Sequence, residues 1–299
     1  MRNTRFKREL PLHLMILPGI ILLIIFAYIP MIGIVIGFEK FVPAKGIFGS
    51  KWIGFGNFEY LINMPNTFRI LFNTVYIASM KIVAGIVVPV TFALLLNEVR
   101  KLYFKRMVQT IIYLPYFLSW IILAGIMIDL LSPSQGIVNQ FLKAIGIEPI
   151  FFLANEKWFP YIIVISDVWK GFGFGTIIYL ASLTSIDPTY YEAAVIDGAG
   201  RWKQTLYVTL PGMMPIIVLT TTLALGNVLN AGFDQIFNLY SASVYSTGDI
   251  IDTLIYRLGI AEAQFGVAGA VGIFRSIVSF AFITLSYKLA DKYAGYRIF

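Results

Sequence analysis

Charged side chains inside apolar stretches are where this sequence could do chemistry. Lys81, Asp129, Asp167, Lys170 and Arg275 stand out. At membrane depth such residues cost free energy, face a protein interior and mark functional sites. Asp167 and Lys170 are three apart, so they share one helical face. Two readings stand: a mutual ion pair that ties their helix into a bundle, or a polar lining for a substrate. Asp129 lies near the end of its stretch and reads as interfacial. Lys81 and Arg275 have long stems that snorkel or pair with neighbouring carbonyls. The run from Asp167 through Trp169, Lys170 and Gly171 to Phe174 sets aromatic rings beside flexible backbone and a carboxylate. That combination suits a sugar, whose C–H faces stack on rings and whose hydroxyls bond carboxylates; it also serves ordinary lipid-facing or core packing. Asn227 and Asn230, again three apart, either bridge helices or meet a polar ligand.

Other chemistry is excluded. No glycine-rich stretch ends in Gly-Lys-Ser/Thr, so the chain has no phosphate-cradling loop and is not expected to hydrolyse ATP. There is no Cys and a single histidine, His13. A thiol nucleophile, an Fe–S site and a histidine metal centre are therefore excluded, and no metal or other cofactor is expected on this chain. No Gly-x-Ser-x-Gly elbow occurs. An intramembrane enzyme would need convergent acids, His or Ser, and none is evident.

The elements that position these residues follow from composition. Of 299 residues, 58% are hydrophobic and 13% charged, against about 25% charged in soluble domains. With a mean hydropathy of +0.79, this predicts an all-α polytopic membrane protein. A single transmembrane domain over 1–299 is expected, with six spans at about 12–38, 70–96, 107–131, 159–183, 212–233 and 266–289. Arg2, Arg5, Lys7 and Arg8 precede an apolar run too long for a signal-peptide core and lacking a small-residue cleavage site, which predicts a retained anchor.

Lys and Arg set the orientation. One side carries those four residues, then Arg100, Lys101, Lys105 and Arg106, then Arg201 and Lys203, then Lys288, Lys292 and Arg297. The other side holds Lys40, Lys45, Lys51, Arg69, Lys143, Lys157 and Arg257 in longer loops. The positive-inside rule places both termini in the cytoplasm. The basic clusters flank apolar segments, so the net charge of +7 does not point to nucleic acid. Outer loop 39–69 carries Trp52, Phe55, Phe58 and Tyr60. Those rings either cap the bundle or receive an extracellular partner.

Between the fourth and fifth spans lies a cytoplasmic stretch with its own helix, about 188–200. Asp187 can cap it and Pro188 fits its first turn, while Gly198 and Gly200 break it. Ala193, Ala194, Gly198 and Ala199 make a small-residue face that another surface can approach closely. Tyr190 and Tyr191 add contact area, and Glu192 and Asp197 can fix orientation. This is a docking helix.

The spacing here resembles the EAA motif of binding-protein-dependent ABC importer permeases. Glu192, Ala193, Ala194, Gly198, Val208, Leu210 and Pro211 fall on its fixed positions, with Val208 where Ile is commonest. The variant Asp197-Gly198-Ala199 resembles the carbohydrate branch. Tyr28-Ile-Pro30, Gly54-Phe-Gly-Asn-Phe58, Asn97-Glu-Val-Arg100, Gln109 to Pro115 and Phe233-Asp-Gln-Ile-Phe237 are similar to LplB-like permeases associated with oligosaccharide and polysaccharide-fragment uptake.

The resemblance implies the type I ABC importer permease fold in a bacterial plasma membrane. It implies a second homologous permease as heterodimer partner, two ATPase subunits that bind ATP and Mg, and an extracellular solute-binding protein that delivers an oligosaccharide. Residues 192–199 with Leu210 and Pro211 would couple to the ATPase. The family's sugar-contacting segment falls on Asp167, Lys170, Gly171 and Phe174. Of these Gly171 matches and the other three depart. The family's paired asparagines fall within about one residue of Asn227 and Asn230. Lys170, standing where a neutral residue contacts a neutral sugar, would favour acidic oligosaccharides. A permease for amino acids or phosphate, an intramembrane enzyme, and a channel or secondary carrier are the alternatives.

Overall fold

The computed structural model describes the backbone of residues 2–294 and the side chains of residues 10–288 and 291. The side chains of Arg2, Arg5, Lys7, Arg8 and Lys292, and the whole of Arg297, on which part of the topology argument leans, lie outside the described residues.

The described residues are mostly helical. α1 (Arg2–Leu23) continues through a π-helical turn, Ile24–Tyr28, to a 3-10 segment that ends at Phe38. The ring of Pro30 would strike the carbonyl of Phe26 in a regular helix, and the wider turn makes room for it. β1 (Glu39–Lys40) pairs antiparallel with β2 (Lys51–Trp52), Glu39 opposite Trp52. Then come α2 (Gly56–Asn63), α3 (Thr67–Glu98), α4 (Leu102–Tyr113), α5 (Trp120–Leu131), α6 (Ile137–Ala144) and α7 (Phe159–Leu183). The longer helices that follow are α8 (Pro188–Ile196), α9 (Leu210–Gly226), α10 (Phe233–Leu239), α11 (Ile251–Tyr256) and α12 (Phe265–Ala294). Among the described residues, five helices are long and apolar enough to cross a membrane: Leu10–Phe38, Thr67–Glu98, Phe159–Leu183, Arg201–Gly226 and Phe265–Lys288.

The sixth is broken. The predicted third span, 107–131, is bent by 105° between Leu102–Phe117 and Trp120–Leu131. Pro115 has no N–H to continue the helix. Leu118 and Ser119 are extended, and Ser119 restarts the chain as an N-cap, its hydroxyl accepting from Ile122 N at 3.3 Å.

Two compact units divide the chain, one reaching to Pro65 and including Ile255–Phe274, the other holding Asn66–Leu254 and the chain from Arg275 on. In the first, Phe38 stacks on Trp52 at 5.6 Å and meets Phe55 and Phe58. Asn57 donates to Gly37 O and Glu39 O, both at 2.9 Å. In the second, α3 packs along α7. Val90, Ala93, Tyr179, Leu183 and Met213 form a buried cluster there. Lipid tails are as apolar as these side chains, so close fit rather than hydrophobic transfer holds such helices together.

Candidate functional site

A cleft of about 320 Å³ opens in the second unit, lined by Lys81 of α3, Asp167 and Tyr179 of α7, Thr220 of α9, and Asn227 and Asn230 beyond it. Lys81 is its electrostatic centre. Its ammonium stands 3.3 Å from Asp167 Oδ1, donates to Ala231 O at 2.7 Å and also donates to Gln235 Oε1. Gln235 is fully buried and uses its amide to bond Ile163 O and Ser166 Oγ, both at 2.7 Å. The Lys81 side chain is 9% exposed and that of Asp167 37%. The cation is thus held from below while the carboxylate faces the cleft. Tyr179 and Thr220 share a hydroxyl hydrogen bond at 3.0 Å on the opposite wall.

Two sequence expectations change here. Asp167 pairs with Lys81 rather than Lys170. Lys170 donates to Tyr116 O at 2.9 Å and to Leu118 O, and its ammonium lies over the rings of Tyr116 and Trp120. Those carbonyls are orphaned where the third span breaks, and a cation satisfies such helix-end acceptors. The break has claimed Lys170, so the cleft does not include it. Phe174 likewise stacks on Tyr116 at 4.2 Å, Trp169 is exposed, and Gly171 has open space around it. None of these four lines the cleft.

The second change concerns the asparagines. α9 stops at Gly226, Asn227 is its C-cap, and Asn230 lies in the turn beyond. The two do not share a helical face. The turn, with Asn230 N bonded to Asn227 O at 2.8 Å, brings both to the cleft.

Sequence reasoning singled out Lys81 as a charge at membrane depth without placing it with Asp167. It did not single out Gln235, Tyr179 or Thr220. A lone intramembrane lysine needs acceptors, and the glutamine in the Phe233–Phe237 segment was the available signal. Arg275, expected to snorkel or meet carbonyls, forms a 2.6 Å ion pair with Asp252. Burial pushes the Asp252 carboxyl above its ordinary value, with Arg275 acting in the opposite direction.

The stretch expected to dock a partner forms a second candidate site. Asp187 caps α8, its carboxylate accepting from Thr189 N at 2.9 Å. That backbone hydrogen bond holds the Asp187 carboxyl below its usual range. α8 ends at Ile196 rather than near 200, because Gly198 takes the left-handed φ of 74°. Ala199 N then bonds Ala194 O at 2.8 Å and closes the end. Glu192, Ala193, Asp197 and Gly198 are exposed, while Ala194 and Ala199 are half-buried. Tyr190, Val195 and Ile196 are exposed large hydrophobics. Tyr191 differs from its neighbour: its hydroxyl bonds Thr209 Oγ1 at 3.1 Å. Leu210 opens α9 with Pro211 in its first turn, following a π-helical turn at Thr205–Thr209.

Residues 82–292 match the family described as binding-protein-dependent transport system inner membrane component. The Polygalacturonan/rhamnogalacturonan transport system permease protein YteP of Bacillus subtilis (strain 168) is 40% identical over 96% of this chain and 90% of that protein. Protein LplB of the same organism is 38% identical over the same shares. A chain in the crystal structure of a bacterial alginate ABC transporter, in complex with alginate pentasaccharide-bound periplasmic protein, superposes with a TM-score of 0.89 at 37% identity, covering 97% of this chain and 96% of that one.

Proposed function

Because the chain belongs to the family of binding-protein-dependent transport system inner membrane components, we propose that it is the permease subunit of an ATP-driven importer whose cargo is an acidic, polysaccharide-derived oligosaccharide. The observation that carries the cargo reading is the Lys81 ammonium at the floor of the polar cleft. A uronate carboxylate entering there would replace Asp167 on that ammonium, whose remaining protons stay with Ala231 O and Gln235 Oε1. The amides of Asn227 and Asn230 both donate and accept, as sugar hydroxyls require. Relatives named for polygalacturonan and alginate fit this chemistry.

In this reading both termini and α8 are cytoplasmic. Glu192, Ala193, Ala194, Asp197, Gly198 and Ala199, with Leu210 and Pro211 behind them, couple to an ATPase subunit. Two such subunits bind ATP and Mg, and this chain binds neither and catalyses nothing. A second homologous permease completes the pathway. An extracellular solute-binding protein delivers cargo to the outward-open state.

The test is uptake by the reconstituted complex, comparing an oligogalacturonide with a neutral oligosaccharide of equal length. Lys81→Met should lower the acidic-to-neutral ratio by about tenfold or more, as expected for losing a close charge partner, and Lys81→Arg should restore much of it. An unchanged ratio in Lys81→Met defeats the acidic-cargo reading.

A further inference from the structure

A second cleft, about 490 Å³, lies in the first unit, where β1 meets the start of α12. Its walls include Glu39, Phe41, Asn57, Tyr60, Gln264 and Phe265. Glu39 is only 4% exposed, and its Oε2 is buried with no hydrogen-bond partner among the described residues. A buried acceptor left unmatched is uncommon, and a buried carboxylate demands a cation or several donors. Lys40 also lines the cleft, but it follows Glu39 in β1 and is exposed, and no ion pair joins the two among the described residues.

The cleft is firmly built. Asn57 fixes the Glu39 carbonyl at 2.9 Å. A Cβ on Gly266 would come within 2.5 Å of that same oxygen, so only glycine permits the approach. At the rim Ala263 holds a φ of 54°, a conformation that costs a non-glycine residue free energy and clusters at binding sites. Phe41 meets Phe265 edge-on at 6.0 Å.

We propose that the Glu39 cleft is a socket for a lysine or arginine side chain presented by the extracellular solute-binding protein. This rests on the importer reading and on the outward placement of the 39–69 loop. A cationic side chain supplies what Glu39 lacks, and Phe41, Tyr60 and Phe265 offer ring faces that attract cations. An acidic oligosaccharide would be repelled by Glu39. A metal ion would need more ligands than the site offers, since no group of three His, Asp or Glu exists among the described residues.

The experiment uses the complete transporter in lipid nanodiscs and titrates ATP hydrolysis with the cargo-loaded binding protein. Glu39→Gln should raise the half-maximal concentration at least about tenfold, the effect of truncating one partner of a buried charge pair, and Glu39→Asp should raise it less. If the wild-type complex is stimulated and Glu39→Gln shows the same half-maximal concentration, the socket is refuted while the importer reading stands. If the binding protein does not stimulate the wild-type complex, both fall. Should Glu39→Gln fail to accumulate, the wild-type titration is repeated in 10 mM ethylguanidinium chloride (about the weak affinity of a lone ion) against equal sodium chloride. A higher half-maximal concentration with ethylguanidinium supports the socket; equal values refute it.

Discussion

Lys81 on the second span and Asp167 on the fourth are 86 residues apart in sequence and 3.3 Å apart in space. Asp167→Asn leaves a buried ammonium with neutral acceptors only. It should destabilise the protein by about 2 kcal/mol, less than a fully enclosed pair because Asp167 is partly open to the cleft. Adding Lys81→Met should cost less than the sum of the two single changes. A double-mutant cycle on thermal unfolding in detergent measures this, and a coupling of zero would mean that the pair is incidental.

Lys170→Met should leave the acidic-to-neutral transport ratio where it is. Its ammonium is engaged by the carbonyls of Tyr116 and Leu118. The expected effect is faster amide hydrogen exchange around 114–122, since the break loses its cationic clasp. A changed cargo ratio with unchanged exchange would return Lys170 to the pathway.

Gly198→Ala forces a side chain onto a φ of 74°, a strain of about 1–2 kcal/mol. It should weaken the coupling of ATP hydrolysis to uptake. Gly198→Glu, which adds bulk and charge to an exposed docking face, should uncouple the two or prevent assembly. Normal coupled uptake in Gly198→Glu would remove the docking role from α8.

Asp187 gives α8 a pH dependence. Its carboxyl titrates below the ordinary 3.8 because the charged form accepts from Thr189 N. A depressed folded-state value means that the cap contributes fully above the ordinary carboxylate range and is lost as pH falls through the lower value. Exchange protection of residues 188–196 should hold at neutral pH and decline below about pH 4. Asp187→Asn keeps an acceptor and should abolish that decline.

The outline of the fold was legible because apolar runs of span length are a one-dimensional signal. The helix α8 was legible too, through Asp187, Pro188 and the glycine pair. The cleft was less so. Asp167–Lys170 looked like a pair because helical spacing is visible in sequence, whereas Lys81–Asp167 is a contact between helices. What turned Lys170 away was the set of carbonyls released at Pro115, a consequence of the broken span that spacing alone does not reveal. Asn227 and Asn230 fell in the expected region for a different local reason: α9 ends between Gly226 and Asn227, so a turn rather than a helical face presents them.

The Tyr191–Thr209 hydrogen bond joins α8 to the foot of the fifth span. From that joint α9 runs 17 residues, about 25 Å, and ends beside Asn227. In the proposed importer the arrangement would be a lever, with its handle at α8 and its tip at the polar cleft. A tilt of roughly 10° about the foot would sweep the tip by about 4 Å on that length, more than the reach of a hydrogen bond. On the proposed function, small movements of an ATPase subunit gripping α8 would be enough to make or withdraw the amide contacts with a bound sugar.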